Sequence, residues 1–290
     1  MQDIVDKASV LIEALPYMQK FRDEIVVIKF GGSAMENPEL TANTMRDIVF
    51  LECIGMSPVV VHGGGKAISA KLKEMNIPSH FVNGLRFTCD DTIGVVDSVL
   101  HNDVNTNLIY GIAQAGGKGH QVSGKSFMKA EKMFTQCTET GKQLDIGHVG
   151  DINSVDTQMI LDTIKQNIVP VIPPLAVDEN NQAYNINADI AACKIAEALK
   201  ARKLVFLSDV PGIMRDPSDE SSVISTITVE ETNTLIKQGI ISGGMIPKVK
   251  SAISALNAGT NKVHMIDGRV KHSLLLEIFT DSGVGTEITK

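Results

Sequence analysis

Ile25-Val26-Val27-Ile28-Lys29-Phe30-Gly31-Gly32 decides the fold. Five of its first six residues are apolar, with no polar alternation, which is the pattern of a strand buried on both faces; in a globular chain that means a parallel sheet covered by helices. The run releases directly into two glycines, where the backbone can approach a ligand closely because no Cβ intervenes. The design repeats at Val60-Val61-His62-Gly63-Gly64-Gly65-Lys66. Candidate buried strands are therefore Ile25–Phe30, Pro58–His62, Ile168–Ile172, Lys203–Ser208 and Lys262–Ile266. Helical patterns lie between them. Asn37 and Pro38 form an N-cap and first-turn pair for a helix to about Ile54, and Asn187 or Asp189 opens another through Ala201. The alternation predicts βαβ units around a mostly parallel sheet.

Asn83-Gly84, between short apolar flanks in His80–Thr88, signals a hairpin. The Gly-, Lys- and Thr-rich stretch Gly116–Gly150 reads as another hairpin or two. Parallel-strand patterns occur on both sides of Pro173-Pro174 with no polar linker and no internal repeat. Two lobes sharing one sheet are expected, 21–175 and 176–290, joined near Pro174–Tyr184. Ahead of them, residues 1–20 carry Ile4, Val5, Ala8, Leu11, Ile12 and Leu15 at helical spacing opposite Asp3, Asp6, Lys7 and Glu13, with Pro16 expected to end the helix. Its apolar stripe either folds back on its own core or docks on another subunit.

The 290 residues hold 27 Lys+Arg and 34 Asp+Glu, a net charge of −7, with 43% apolar residues. No basic block is present to replace the counterions of a nucleic-acid backbone, and the acidic surplus disfavours an anionic bilayer. Ile168–Val177 is far short of the roughly 20 residues a membrane span needs, and it holds three prolines. Acids near the N-terminus are unlike a secretory leader, so a cytoplasmic location is expected. Cys53, Cys89, Cys137 and Cys193 form no C-x-x-C pair and read as buried free thiols. No dedicated metal site is expected.

Two further glycine turns bear on chemistry. Ser242-Gly243-Gly244-Met245-Ile246-Pro247-Lys248 precedes a helix, and Ser208-Asp209-Val210-Pro211-Gly212 follows a strand. Glycine turns at the carboxyl ends of parallel strands, each leading into a helix N-terminus, make anion cradles. Neither of the first two has Walker A or G-x-G-x-x-G spacing. Lysines recur beside the glycines, at Lys29, Lys66 and Lys248, which points to phosphoryl transfer: that chemistry needs positive charge and amides around the transferred group, with in-line positioning. Asp189 could hold two lysines by ion pairing, or serve only as a helix-start acid. Arg86 could grip a carboxylate with two parallel hydrogen bonds, or be a solvated hairpin arginine. His62 has no metal-spaced partner and reads as a packed, hydrogen-bonded histidine.

Taken together, Val26–Gly32, Val61–Gly65, Asn83–Thr88, Tyr184–Asp189, Leu207–Ile213 and Gly243–Lys248 resemble the amino acid kinase family, in family order over Ile25–Thr289. Within it the resemblance is to the branch that phosphorylates the side-chain carboxylate of N-acetyl-L-glutamate with ATP and Mg2+ in arginine biosynthesis. It implies a three-layer αβα sandwich with an open, mostly parallel sheet plus small hairpins. It implies catalytic roles for Lys29, Lys248 and Asp189, and acyl-substrate contacts at Gly64, Gly65, Arg86, Asn185 and Asn187. ATP contacts are implied at Gly31, Gly32, Ser208, Asp209, Gly212, Gly243, Gly244 and Met245. The N-terminal helix and the segment from Asp267 to Thr286 resemble the arginine-inhibited, hexameric members, with Tyr17, Lys203, His272, Glu277 and Gly283 at the matching arginine-site positions. Gly116–Lys132 follows the family less closely. A kinase for the one-carbon-longer N-acetylaminoadipate shares most of these motifs. A non-catalytic arginine-sensing module commonly lacks the lysines that are present here. The sequence carries no signal on whether a PII-type signalling protein binds.

Overall fold

A computed structural model describes residues 2–136, 141–280 and 283–290. Cys137, and the side chains of Asp3, Ile4, Asp6 and Lys7, lie outside the described residues.

The first half comprises α1 (Gln2–Phe21), β1 (Ile25–Phe30), α2 (Pro38–Cys53), β2 (Ser57–His62), α3 (Gly65–Glu74), the hairpin β3 (Phe81–Val82) and β4 (Leu85–Arg86), α4 (Asp90–Ser98) and α5 (Thr106–Gln114). It continues with β5 (Gly119–Gln121), β6 (Met128–Gln136), β7 (Gln143–Val155), α6 (Gln158–Ile164), β8 (Val169–Ile172) and β9 (Leu175–Val177). The second half holds β10 (Ala183–Asn185), α7 (Ala188–Ala198), β11 (Lys203–Ser208), β12 (Thr226–Thr228), α8 (Val229–Lys237), α9 (Met245–Ala258), β13 (Lys262–Asp267), α10 (Ser273–Phe279) and β14 (Thr286–Thr289).

Eight strands form one sheet in the order β12-β14-β13-β11-β1-β2-β8-β5. Neighbours run parallel except β13 and β14. The two halves meet at its centre, where β1 pairs with β11 from Val26–Lys203 to Lys29–Phe206. Successive side chains of β1 enter opposite layers, as a strand's two-residue period requires. Val27 joins the core under α7 and α9, while Val26, Ile28 and Phe30 join the core under α2, α5 and α10. Both faces are therefore covered, giving the three-layer sandwich. Val26, Val27, Ile28 and Phe30 are fully buried, each stabilising the fold by roughly 1.5–3 kcal/mol.

Asn37 caps α2 by accepting from the amides of Glu39 and Leu40, and Asn187 rather than Asp189 caps α7. The segment 116–150 divides differently from expectation. Gly119–Gln121 becomes an edge strand of the main sheet, and only β6 and β7 form a hairpin, which closes with β9 and β10 into a small four-stranded unit. Gly117 and Gly119 pack against Val49 and Ile112, so these glycines serve close approach rather than turns.

Pro16 does not end α1, which runs on to Phe21. The last turn is anchored by packing, with Phe21 buried and the Tyr17 ring edge-on to Phe279 at 6.4 Å. Val5, Val10, Leu11, Ile12 and Leu15 are exposed, so most of the apolar stripe is not folded onto this chain's own core. Cys53 is exposed and Cys89 half-buried; of the described thiols only Cys193 is fully buried, and burial pushes it up. Between α4 and α5, residues Val99–Asn105 form a π-helical segment that no sequence signal announced.

Candidate active site

The carboxyl ends of β1, β2 and β11 and the amino ends of α3, α7 and α9 converge on one cleft. Lys29 is the fifth residue of β1, on the α7 face. Asp189 is the second residue of α7, and Lys248 lies in the first turn of α9. Lys29 Nζ stands 3.0 Å from Asp189 Oδ1, and Lys248 Nζ donates to Oδ2 at 3.2 Å. The Oδ1 contact is a charge pairing without hydrogen-bond geometry. Burial alone would raise the Asp189 carboxyl, but the two ammonium groups outweigh it and hold it below the usual carboxylate range. Two cations on one anion leave a unit of positive charge unmatched within this cluster of described residues. The position of Asp189 is itself fixed, because Asn187 Oδ1 accepts from its amide at 2.9 Å and from Ile190 at 3.2 Å.

Glycine turns line the cleft for steric reasons. A Cβ on Gly31 would lie 2.8 Å from Lys29 Nζ. Gly32 has φ +76°, and its Cβ would lie 2.3 Å from Asp209 Oδ1. That carboxylate accepts from Ser33 N at 2.7 Å and Ser33 Oγ at 2.9 Å, tying the β1 turn to the β11 turn. Ser33 escaped sequence reading, since its partner lies 176 residues away and nothing local marks the pair. Ser208 donates to Val210 O within its own turn. Gly212 sits where a Cβ would meet Thr286 Oγ1. Gly243 (φ +54°) and Gly244 face open space at the start of α9, beside Met245.

On the other side of the Gly63–Gly65 turn, a cavity of about 150 Å3 brings together Gly64, Gly65, Arg86, Asn185 and Asn187. Arg86 is not solvated. It is buried, lies 4.7 Å over the Phe81 ring, and donates to Ser79 Oγ, to Gly65 O at 2.7 Å and to Ser69 Oγ at 2.8 Å. Burial lowers its pKa. Ser69 and Ser79 were not foreseen; they hold the arginine against the α3 turn. Asn185 Nδ2 donates to Thr88 Oγ1 at 3.2 Å. A roomier cavity of about 560 Å3 runs past Met35, Val104 and Leu108 on the α5 side of the same turn and touches none of Lys29, Asp189 and Lys248.

At the opposite end of the sheet, a cavity of about 210 Å3 is lined by Tyr17, Lys203, Glu277 and Gly283. His272 is not among its walls. It opens α10 in a left-handed conformation and its Nδ1 lies 2.6 Å from Asp47 Oδ1, an interaction that draws it toward α2. His264 stands in the cavity instead, its Nδ1 bonded to Glu277 Oε1 and its Nε2 buried without a hydrogen bond. Burial would raise Glu277, but His264, Val284 N and Lys203 keep it low; burial lowers Lys203. His264 carries no local sequence signal, because its place in the cavity depends on which strand face meets α10.

A profile of the amino acid kinase family matches residues 24–267. The chain belongs to that family, and so is a phosphotransferase. Its likeness to the acetylglutamate kinase of Akkermansia muciniphila is 47% identity over 288 residues, 99% of this chain and 97% of that one. The acetylglutamate kinase of Carboxydothermus hydrogenoformans is 47% identical over 293 residues, with both chains covered end to end. Within the family, its group is therefore that of the acetylglutamate kinases. Among solved structures, N-acetylglutamate synthase from Neisseria gonorrhoeae superposes with a TM-score of 0.84 at 24% identity. The match covers 98% of this chain but only 63% of the synthase. Giardia carbamate kinase superposes with a TM-score of 0.65 at 18% identity, over 92% of this chain and 99% of that one. These two likenesses speak to the fold alone.

Proposed function

We propose that the chain transfers the γ-phosphoryl group of ATP to the side-chain carboxylate of N-acetyl-L-glutamate, yielding the acyl phosphate and ADP in arginine biosynthesis. The observation that carries this reading is the pairing of Lys29 and Lys248 on Asp189 between glycine turns. A surplus positive charge held there suits the equatorial oxygens of a transferring phosphoryl group. Lys29 and Lys248 bear on that group from opposite halves of the chain, and Asp189 keeps both in register. The amides of Gly32 and Gly64 complete the cradle. The acceptor carboxylate is ionised at neutral pH, so its oxygen attacks phosphorus directly while the bridging P–O bond to ADP breaks. No general base is required.

Residues 21–175 would hold the acyl amino acid, with Arg86 and, from the other lobe, Asn185 at its α-carboxylate end and Asn187 nearby. Residues 176–290 would hold ATP, with the adenosine over Ser208–Gly212 and Gly243–Met245, where Gly243 and Gly244 leave room. Among the described residues no three acidic, His or Cys side chains converge as a metal cage. Mg2+ bound with ATP would supply charge neutralisation through the phosphate oxygens.

The opposite cavity, with cationic and anionic walls, suits a free amino acid, and we assign it to feedback inhibition by arginine. The exposed stripe of α1 would lace dimers into a hexamer in the cytoplasm. No helix among the described residues is long and apolar enough to cross a membrane.

ATP-dependent hydroxamate formation, run in parallel with N-acetylglutamate and N-acetylaminoadipate, tests the reading. Activity with the first is expected; a clear preference for the second would replace the substrate. Deleting residues 1–20 should give dimers insensitive to arginine, and a truncated enzyme still hexameric and inhibited would refute the regulatory assignment.

A further inference from the structure

His62 ends β2 fully buried, next to the cleft, and the reaction above gives it no task. Its polar contacts form a chain whose direction is dictated from one end. Val171 O can only accept, so the Asn105 atom 2.9 Å from it is the amide nitrogen. That same Nδ2 lies 3.0 Å from His62 Nε2, which must therefore present its lone pair. The ring proton is left on Nδ1, which donates to Gly63 O at 2.7 Å. Burial pushes the imidazole down to about 4, so it is neutral near pH 7. Asn105 ends the π-helical segment, and its own Oδ1 is buried without a hydrogen bond. The amide is thus oriented for what its nitrogen does, at the expense of its oxygen.

Gly63 is held at both polar atoms, since its N–H donates to Phe30 O at 2.8 Å. The 63–64 peptide is trans, so fixing Gly63 O on the His62 ring turns the Gly64 N–H the other way. The ring lies on the Val60 side of the sheet, toward α5; Lys29 lies on the Val27 side, toward α7. Among the described residues Gly64 N–H meets no acceptor. A Cβ there would stand 2.5 Å from Leu100 Cδ2 of the same π-helical segment, so a larger residue would have to displace that leucine.

We infer that His62 is a positioning residue: Asn105 and Val171 impose its Nδ1–H tautomer, which sets the Gly63–Gly64 peptide so that the Gly64 N–H faces the transferring phosphoryl group. The inference rests on the kinase reading for its consequence, though not for the tautomer.

Two measurements test it. In 15N-histidine spectra of the ligand-free wild-type enzyme, His62 should appear as the neutral Nδ1–H tautomer at pH 7; an Nε2–H tautomer or an imidazolium would overturn the proposal without any assay. In kinetics, Asn105→Asp, isosteric but able only to accept, should drive the ring proton to Nε2, and His62→Gln should lose the donor to Gly63 O. Each should lower kcat about tenfold or more, with KM for both substrates changed less than about threefold, as for weakening of a transition-state donor. His62→Asn, whose Nδ2 can occupy the Nδ1 position, should recover most of the lost rate. Equal losses in His62→Asn and His62→Gln, or kcat within twofold of wild type in all three, would sink it. A wild-type enzyme inactive on N-acetylglutamate would instead refute the kinase assignment and leave the spectroscopic result standing.

Discussion

The two ends of the central sheet each carry a buried lysine and a buried histidine on strands at its centre, Lys29 with His62 at one and Lys203 with His264 at the other. At the carboxyl end, His62 satisfies both ring nitrogens and the two lysines outnumber their single carboxylate. At the amino end, His264 leaves Nε2 without a hydrogen bond, and Glu277 and Glu287 stand among Lys20, Arg202, Lys203 and Lys262. One end is preorganised, with only a surplus cation awaiting an anion. The other presents buried groups of both signs and holds an unspent polar atom, as suits a ligand bearing both signs. Helix N-termini explain part of the contrast, because α3, α7 and α9 all begin at the carboxyl end and add to its positive potential.

The largest effect that could break this contrast concerns rate. Lys29→Ala and Lys248→Ala should each lower kcat by at least about two orders of magnitude, on the scale of losing an oxyanion donor. Coupled measurement of ADP release checks it, and near wild-type rates would remove the proposed roles. Glu277→Ala should act on stability instead, costing about 3 kcal/mol in urea unfolding because it strips a buried partner from His264. Its kcat without effector should stay within about twofold of wild type, whereas a hundredfold loss of the kind expected at the other end would erase the distinction.

A smaller effect concerns pH at the carboxyl end. His62 folds with its value near 4 against an ordinary 6.5, so between these values the unfolded chain binds the extra proton. Stability therefore falls as pH falls. From pH 7 to 5 this group should remove about 2 kcal/mol, a share that His62→Asn should abolish. Urea titrations at the two pH values measure it, and an unchanged slope in the variant would contradict the burial argument. The smallest effect is at the α7 cap. Asn187→Ala should cost about 1 kcal/mol in thermal unfolding and lower kcat modestly by loosening Asp189; a variant as stable as wild type would show that Lys29 and Lys248 alone fix that carboxylate.

Much of the carboxyl end was legible because its pieces are local. Strand, glycine turn and helix cap occupy adjacent residues, and β1 and β11 lie where the apolar runs placed them. What escaped notice depends on partners distant in sequence. Ser33 meets Asp209 across 176 residues, Asn105 reaches His62 through a π-helical segment, and Arg86 is held by serines that look like loop filler. The amino end was less legible for the same reason. The resemblance points to His272, whereas strand facing brings His264 to the cavity wall. Pro16 does not stop α1 because the packing of Tyr17 and Phe21, invisible in the local sequence, carries the helix past it.

The pairing of β1 with β11 at the centre of the sheet also has a consequence for synthesis. One edge of β1 has no partner until Lys203–Ser208 emerges, nearly 180 residues after β1 itself. At translation rates of about 5–20 residues per second, this apolar edge waits roughly ten to thirty seconds. Until then it is a template for pairing with other chains. We expect ribosome-arrested chains ending before Lys203 to be protease-sensitive around Phe30 and to recruit chaperones, and those extended well past Ser208 to be protected. Protection already present in the shorter chains would show that another segment covers that edge first.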